Sequence, residues 1–445
     1  MQSSPAFQTP LLRFPEEFQF GVATAAHQVE GHNHTSDWWT FEQEAGRIHD
    51  GTQSGAACEH YSRFREDLEL ISALSCTVYR FSIEWAKVEP EPGRFDSAVL
   101  AHYRDVILAC RAKGIEPLVT LYHFTLPQWF ADRGNWLNPE SVEAFTRYVR
   151  AVRDALGDLV TWWCTINEPV VYMYHAWLTG VWPPAHKSFL EMSKVGRHLI
   201  LGHLAAYKVL HEKEGYQGKP VQVGIAKHLR VFDPWREGSR ADAWAAAQQE
   251  YGFNWAFLDS LEQGRFRFPL GLGEKIPGAI PCQDYLGINY YTRDRVQFAV
   301  SAALNLFGVS LKTPNAPLND LSWEIYPEGL TRLLRTAYRR YGKHIWITEN
   351  GLADASDRLR PAFVAHHMTA VARSLEEGVP LLGYCHWSLY DNFEWAEGYT
   401  PRFGLYAVDY QTQARTLRPG GALYGQIARE KALSPSLVEQ YPLLG

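Results

Sequence analysis

Two apolar runs in this chain of 445 residues stop on a carboxylate: His344-Ile345-Trp346-Ile347-Thr348-Glu349-Asn350-Gly351 and Thr161-Trp162-Trp163-Cys164-Thr165-Ile166-Asn167-Glu168-Pro169. Each is short, rich in β-branched and aromatic residues and closed by a turn-forming residue, the composition of a strand buried on both faces. Buried strands do not usually end on Glu. If both runs belong to one closed parallel sheet, Glu168 and Glu349 project from the same face, and two facing carboxyl groups are the equipment for cleaving a glycosidic bond.

The elements that must bring the pair together follow from periodicity. Eight strand-like runs occur, at 18–24, 77–85, 116–124, 161–168, 221–229, 284–291, 344–350 and 381–388. Between them lie stretches with apolar residues at helical spacing, among them 58–74, 97–113, 139–156 and 330–341. Strands alternating with helices imply a parallel sheet, and eight repeats imply closure into a (β/α)8 TIM barrel. Such a barrel needs about 250 residues. The surplus falls mainly after strands one, four, six and eight, at 31–57, 169–194, 292–326 and 389–420, so the long loops belong to the C-terminal, catalytic face. With no linker, internal repeat or low-complexity segment, 1–445 reads as one catalytic domain.

Composition narrows the partners. Lys and Arg number 43 against 49 Asp and Glu, without charge runs or a basic stripe, which excludes nucleic acid as the main partner. Nothing approaches the roughly 20 apolar residues of a membrane span, and Met1-Gln2-Ser3-Ser4-Pro5 has neither a positive start nor an apolar h-region. A cytoplasmic protein is expected, and no oligomeric state is implied. The six cysteines (Cys58, Cys76, Cys110, Cys164, Cys282 and Cys385) are scattered without metal-ligand spacing, the pattern of reduced, mostly buried thiols. Aromatic residues make up 14% of the chain; much of that is core, but sugar sites also use aromatic faces against the C–H face of a pyranose.

The strand ends carry groups that an apolar core would not choose: Gln28-Val29-Glu30 after the first, Arg80 in the second, His123 at the third, Asn167-Glu168 at the fourth, Asn289-Tyr290-Tyr291 at the sixth, Glu349-Asn350 at the seventh and Trp387 at the eighth. Taken singly, each is as well explained by a structural hydrogen bond or salt bridge. Their conjunction on the face where barrel active sites lie points to a site.

With these residues, the chain resembles the family 1 glycoside hydrolases, the β-glucosidase family, nearly end to end. The resemblance rests on Phe20-Gly21, Gln28-Val29-Glu30-Gly31, Tyr79-Arg80-Phe81-Ser82-Ile83-Glu84-Trp85, Thr120-Leu121-Tyr122-His123 and Thr165-Ile166-Asn167-Glu168-Pro169. It continues through Gly287-Ile288-Asn289-Tyr290-Tyr291, Trp323-Glu324-Ile325-Tyr326-Pro327-Glu328-Gly329, Ile347-Thr348-Glu349-Asn350-Gly351, the run from Trp387 to Tyr399, and Arg402-Phe403-Gly404.

The resemblance implies a retaining exo-β-glucosidase acting on unphosphorylated β-glucosides and cello-oligosaccharides, with β-galactosidase and β-fucosidase side activity and no cofactor or metal. It makes Glu349 the nucleophile, its pKa held down by Arg80 and Tyr291, and Glu168 the acid/base, its pKa raised by the neighbouring charge. Retention requires a carboxyl separation of about 5–5.5 Å. Gln28, His123, Glu394 and Trp395 match positions that hold the terminal sugar, Asn167 the one that contacts its 2-hydroxyl, Trp387 the platform under the ring, Trp323 a surface for the leaving group, and Phe403 completes the substrate set. Glu394 would repel a 6-phosphate. Departures from the family pattern are Phe124 where Trp is frequent, Thr125 for Asp, Val170 where Trp often follows Asn-Glu-Pro, and Pro183-Pro184 for Pro-Gly; they bear on substrate preference. The pair His32 and His34 lacks a carboxylate or Cys partner for a metal. Two alternatives share the fold: a transglycosylase using the same carboxyl pair, and a non-enzymatic glycan-binding relative, which the retention of both carboxylates disfavours.

Overall fold

The computed structural model describes residues 11–443; the polar start Met1–Pro5, read above as lacking a signal, lies outside them. Eight strands make one closed sheet: β1 (Gln19–Ala23), β2 (Val78–Ser82), β3 (Glu116–Tyr122), β4 (Trp162–Asn167), β5 (Gln222–Pro234), β6 (Leu286–Phe298), β7 (Ile345–Asn350) and β8 (Leu381–Trp387). They run parallel in the order 5-4-3-2-1-8-7-6, and β5 pairs with β6 to close the ring. Helices His60–Ala73, Ser97–Ala112, Ser141–Leu156, Phe189–Leu210, Ala256–Gln263, Pro327–Tyr341, Arg360–Glu376 and Pro419–Glu430 follow the strands in turn. This is the (β/α)8 barrel expected. Leu12–Arg13 pairs antiparallel with Ala432–Leu433, tying the two ends of the described chain together.

The strands are apolar on both faces because both are covered. Val78, Leu118, Cys164, Trp346 and Cys385 pack inside the barrel. Their immediate neighbours Tyr79, Val119, Trp163, Ile347 and Tyr384 pack outward among the helices. The helix Ser141–Leu156 shows the matching stripe: Phe145, Tyr148, Val149, Val152 and Leu156 are buried at helical spacing.

The register shifts at several places in the sheet, and two of these shifts, near the mouth, bear on the site. Cys164 pairs with Gly224 but Asn167 with Ala226, so β4 carries one extra residue. Ile288 pairs with Ile347 but Asn289 with Glu349, so β7 carries one too. Each bulge turns toward the barrel mouth a residue whose parity would have sent it to the helices.

Two strands outrun the sequence reading. β5 continues to Pro234 and β6 to Phe298, and Gly308–Leu311 pairs antiparallel with β6, inside the stretch 292–326 read as a single loop. Beyond the mouth only one face is covered, so the apolar run gives way to alternating charges. Arg230 pairs with Asp294 at 2.8 Å and Arg293 with Asp233 at 3.7 Å. Among the described residues no helix is long and apolar enough to cross a membrane, and all six cysteines are buried and unpaired.

The turn after β7 approaches β8 so closely that a Cβ on Gly351 would collide with the backbone carbonyl of Trp387. Gly351→Ala is therefore expected to lower stability by about 1–3 kcal/mol, read as a fall in calorimetric Tm. A parallel loss of kcat/KM should follow, because the displaced backbone carries Trp387.

Candidate active site

Arg80 lies two residues beyond the inward-facing Val78 and so shares its face; it is 1% exposed. Its Nη1 donates to Glu349 Oε1 and, at 3.2 Å, to the Thr348 carbonyl, while Nη2 donates to Asn167 Oδ1 at 2.7 Å. Tyr291 donates its hydroxyl to Glu349 Oε2 at 2.6 Å. The expectation that these donors hold the Glu349 carboxyl below its ordinary pKa is corrected: burial outweighs them and the carboxyl is raised. Removal of a carboxylate from water penalises its charge more than Arg80 and Tyr291 together restore. What they do is limit the rise.

Glu168 stands in a different environment. It follows the β4 bulge with a left-handed backbone, φ 44°, a conformation that is strained for a residue with a Cβ and recurs at functional sites. Its amide is held by the Ala226 carbonyl at 2.7 Å. Asn289 donates Nδ2 to Glu168 Oε1 at 2.8 Å and to Asn167 Oδ1 at 3.1 Å, and its own Oδ1 accepts from Thr348 at 2.6 Å. His228 Nδ1 lies 3.6 Å from Glu168 Oε1, but burial, with Arg230 and Lys227 nearby, keeps that imidazole neutral. The Glu168 carboxyl is pushed up to about 8 by burial and, next, by the charge of Glu349. The two carboxyl groups thus face one another's fields, one with a guanidinium bonded to it and the other with an amide.

Around them opens a cavity of about 1000 Å³, whose wall includes His123, Asn167, Glu168, Tyr291, Trp323, Glu349, Trp387, Glu394, Trp395 and Phe403. The His123 ring stacks between Trp387 (centroids 5.8 Å, planes 18° apart) and Trp395 (6.0 Å, 14°), and its Nε2 meets Asn167 Nδ2 at 3.1 Å. Trp323 and Phe403 flank Tyr291 at 5.8 and 6.2 Å. The Glu394 carboxyl is raised to about 8, first by burial and then by Glu349.

Gln28 and Arg80 stand behind this wall. Gln28 gives its amide to Asn392 Oδ1 (2.9 Å), Phe393 O (2.8 Å) and Glu394 Oε2 (3.3 Å), which leaves its buried Oε1 without a partner. Glu30 belongs elsewhere, bonded to Lys87 and Tyr103. Of the departures, Phe124 and Val170 line the cavity. Thr125 instead turns its hydroxyl to Glu84 at 2.9 Å, and it is Trp182, beside Pro183-Pro184, that reaches the wall. Asn33 bonds His27 rather than a metal partner, and no cluster of three His, Cys, Asp or Glu is placed to hold a metal ion among the described residues.

Two neighbours of the pair had been given no role. Asn289 is the amide that spans Asn167 and Glu168; its signal in the sequence is an Asn inside an apolar strand, two positions before Tyr291 and therefore on the same face. His228 carried the same kind of signal as His123, a histidine at the end of the run 221–229, but was not singled out.

The model of glycosyl hydrolase family 1 matches residues 11–433. The chain is 33% identical to β-glucosidase A of Thermotoga maritima, over 95% of this chain and 99% of that one. It is 34% identical to a β-glucosidase of Agrobacterium sp., over 94% and 95%. Among solved structures, the β-glycosidase from Pyrococcus horikoshii superposes with a TM-score of 0.89 at 37% identity, covering 97% of this chain and 98% of that one. The T. maritima β-glucosidase has been solved with deoxynojirimycin and with galacto-hydroximolactam. With the barrel and a family match over nearly its whole length in agreement, this chain belongs to glycosyl hydrolase family 1.

Proposed function

We propose that this protein is a retaining, exo-acting β-glucosidase that hydrolyses unphosphorylated β-glucosides and short β-linked oligosaccharides, with β-galactosides and β-fucosides as weaker substrates. The observation that carries the reading is the unequal environment of two carboxyl groups in one cavity. Glu349, bonded to Arg80 and Tyr291, is the one to ionise first and act as nucleophile; Glu168, without a bonded cation and pushed up to about 8, keeps its proton at neutral pH and acts as acid. That Asn289 bonds Glu168 and also favours the charged form of Glu349 supports the short separation that retention requires, about 5–5.5 Å.

In the first step a Glu349 oxygen attacks the anomeric carbon while Glu168 gives its proton to the glycosidic oxygen, and the aglycone leaves as an alcohol. Esterification removes the Glu349 charge, one of the two causes that raise Glu168, so Glu168 becomes the stronger acid and its carboxylate can take a proton from water. That water attacks the anomeric carbon and returns Glu349 as a carboxylate, with net retention. Asn167 Oδ1 already accepts from Arg80 and Asn289, which turns its Nδ2 outward, with one hydrogen left after His123 for the sugar 2-hydroxyl. Trp387 serves as the ring platform, and Glu394 and Trp395 hold the far hydroxyls, with Gln28 behind them bonded to Glu394. Among the described residues no lysine or arginine pairs with Glu394, which suits a hydroxyl and not a phosphate there. The galacto-configured ligand of the T. maritima relative supports tolerance at the 4-position. The reading treats the chain as one catalytic domain, supported by the family match over 11–433, and as cytoplasmic, supported by six thiols left unpaired.

Three measurements test it. Glu349→Gly is expected to lower hydrolysis of an aryl β-glucoside by at least about 10⁴-fold, with azide restoring part of the rate and giving the α-glycosyl azide; the β-azide would reverse the assignment. The kcat/KM of the wild type should be highest below the apparent pKa of the Glu168 proton and fall as pH rises through about 8, and Glu168→Gln should abolish this alkaline limb while slowing poor leaving groups by about 10²–10⁴-fold. Asn289→Ala removes a bond that favours ionised Glu168, so the alkaline limb should move to higher pH, with kcat/KM down by roughly 5- to 150-fold for the buried groups left unpaired.

A further inference from the structure

The cavity is larger than its sugar site needs. A volume of about 1000 Å³ lies at the top of the roughly 300–1,000 Å³ range that encloses drug-sized ligands, and one hexose leaves most of it empty. On the function proposed above, the leaving-group oxygen sits beside Glu168, so whatever lies beyond Glu168 receives the aglycone. Beyond it is His228, 3.6 Å away, and the ring of Phe253 meets His228 edge-on at 5.3 Å. Past Phe253 the wall is hydrocarbon: Met173, Leu178, Phe189, Met192, Phe257 and Leu270.

These side chains come from separate elements that converge. Met173 and Leu178 lie on the π turn Met173–Thr179, and Phe253 on a second, Tyr251–Trp255; such turns are rare and gather at functional sites. Phe189 and Met192 open the helix Phe189–Leu210, whose start is fixed by Ser188 accepting from the Glu191 amide. Several polar groups of this wall are engaged, whereas Arg230 Nε, Gln249 Oε1 and His175 Nδ1 are buried without partners. Arg230 is bonded to Asp294 at 2.8 Å, and the Gln249 amide to the Asn305 and Gly308 carbonyls at 2.9 and 3.0 Å. His228 Nε2, also buried and without a partner, can hold one polar group close to the glycosidic oxygen. Val170, two residues after Glu168, lines the same cavity with a small side chain. The apolar wall continues to the surface, where Leu304, one of the lining residues, is 73% exposed.

We infer that this lobe is an aglycone chamber for a hydrocarbon tail, and that the enzyme prefers β-glucosides of long-chain alkyl or isoprenoid alcohols to short β-glucans. The inference rests on the β-glucosidase reading and names its substrate class. A tail remote from the reacting bond binds ground and transition states alike, so its effect falls on KM more than on kcat.

The test is a rate series over ethyl, butyl, hexyl and octyl β-glucosides below their micellar concentrations, beside cellobiose, cellotriose and p-nitrophenyl β-glucoside. The expected result is a rise in kcat/KM with chain length, up to three- to fourfold per methylene, carried by KM and leaving octyl glucoside ahead of cellotriose. Phe189→Asp, which charges the rim, and Val170→Trp, which adds bulk at the passage, should each lower the octyl-to-ethyl ratio; because one adds charge and the other volume, misfolding of either leaves the other as the readout. A flat alkyl series, or cellotriose ahead of octyl glucoside, with p-nitrophenyl glucoside still turned over, overturns the chamber and leaves the β-glucosidase reading standing. Failure to turn over any of these glucosides overturns both.

Discussion

Everything at the mouth of this barrel is referred to one buried cation. Arg80 is enclosed by protein, and an enclosed guanidinium is stable only if its donors are answered by charge and by hydrogen-bond acceptors. Glu349 answers with charge; Asn167 and the Thr348 carbonyl answer with lone pairs. From these contacts the network spreads to His123 through Asn167 and to Glu168 through Asn289, joining β2, β3, β4, β6 and β7. Removing one charge of such a pair leaves the other unpaired inside the protein, at about 3–5 kcal/mol. Stability and chemistry therefore share the same bonds here.

The consequence is an asymmetry between two identical side chains. Burial raises both carboxyl groups, and the cation is bonded to only one of them. On the proposed mechanism that difference is reversible: it exists while Glu349 is charged and lapses when a sugar neutralises it. The cavity supplies the low-dielectric surroundings that make so small a change in charge felt across the pair.

The loops act on the same site from outside. On the proposed function the barrel supplies the reacting groups, whereas the stretches after β1, β4, β6 and β8 supply aromatic faces and, on the Glu168 side, a hydrocarbon wall. Specificity can change through those loops without disturbing Arg80, which is how one barrel serves many substrates.

The sequence alone determined the architecture and singled out the two carboxyl groups of the proposed reacting pair. Apolar runs buried on both faces, separated by amphipathic helices, admit few folds, and the groups at the strand ends could be read because a core would not have chosen them. It did not determine where those groups point. Trp346 faces the barrel interior, so the period of two would turn Glu349 outward with Ile347; Trp163 likewise predicts an outward Asn167. One extra residue in β7 and one in β4 reverse both. A bulge depends on how the neighbouring strand pairs, a property of the assembled sheet that a single strand does not contain. The rise of the Glu349 carboxyl has the same origin: the partners were legible as residues, but the burial that outweighs them exists only after eight strands close around the pair.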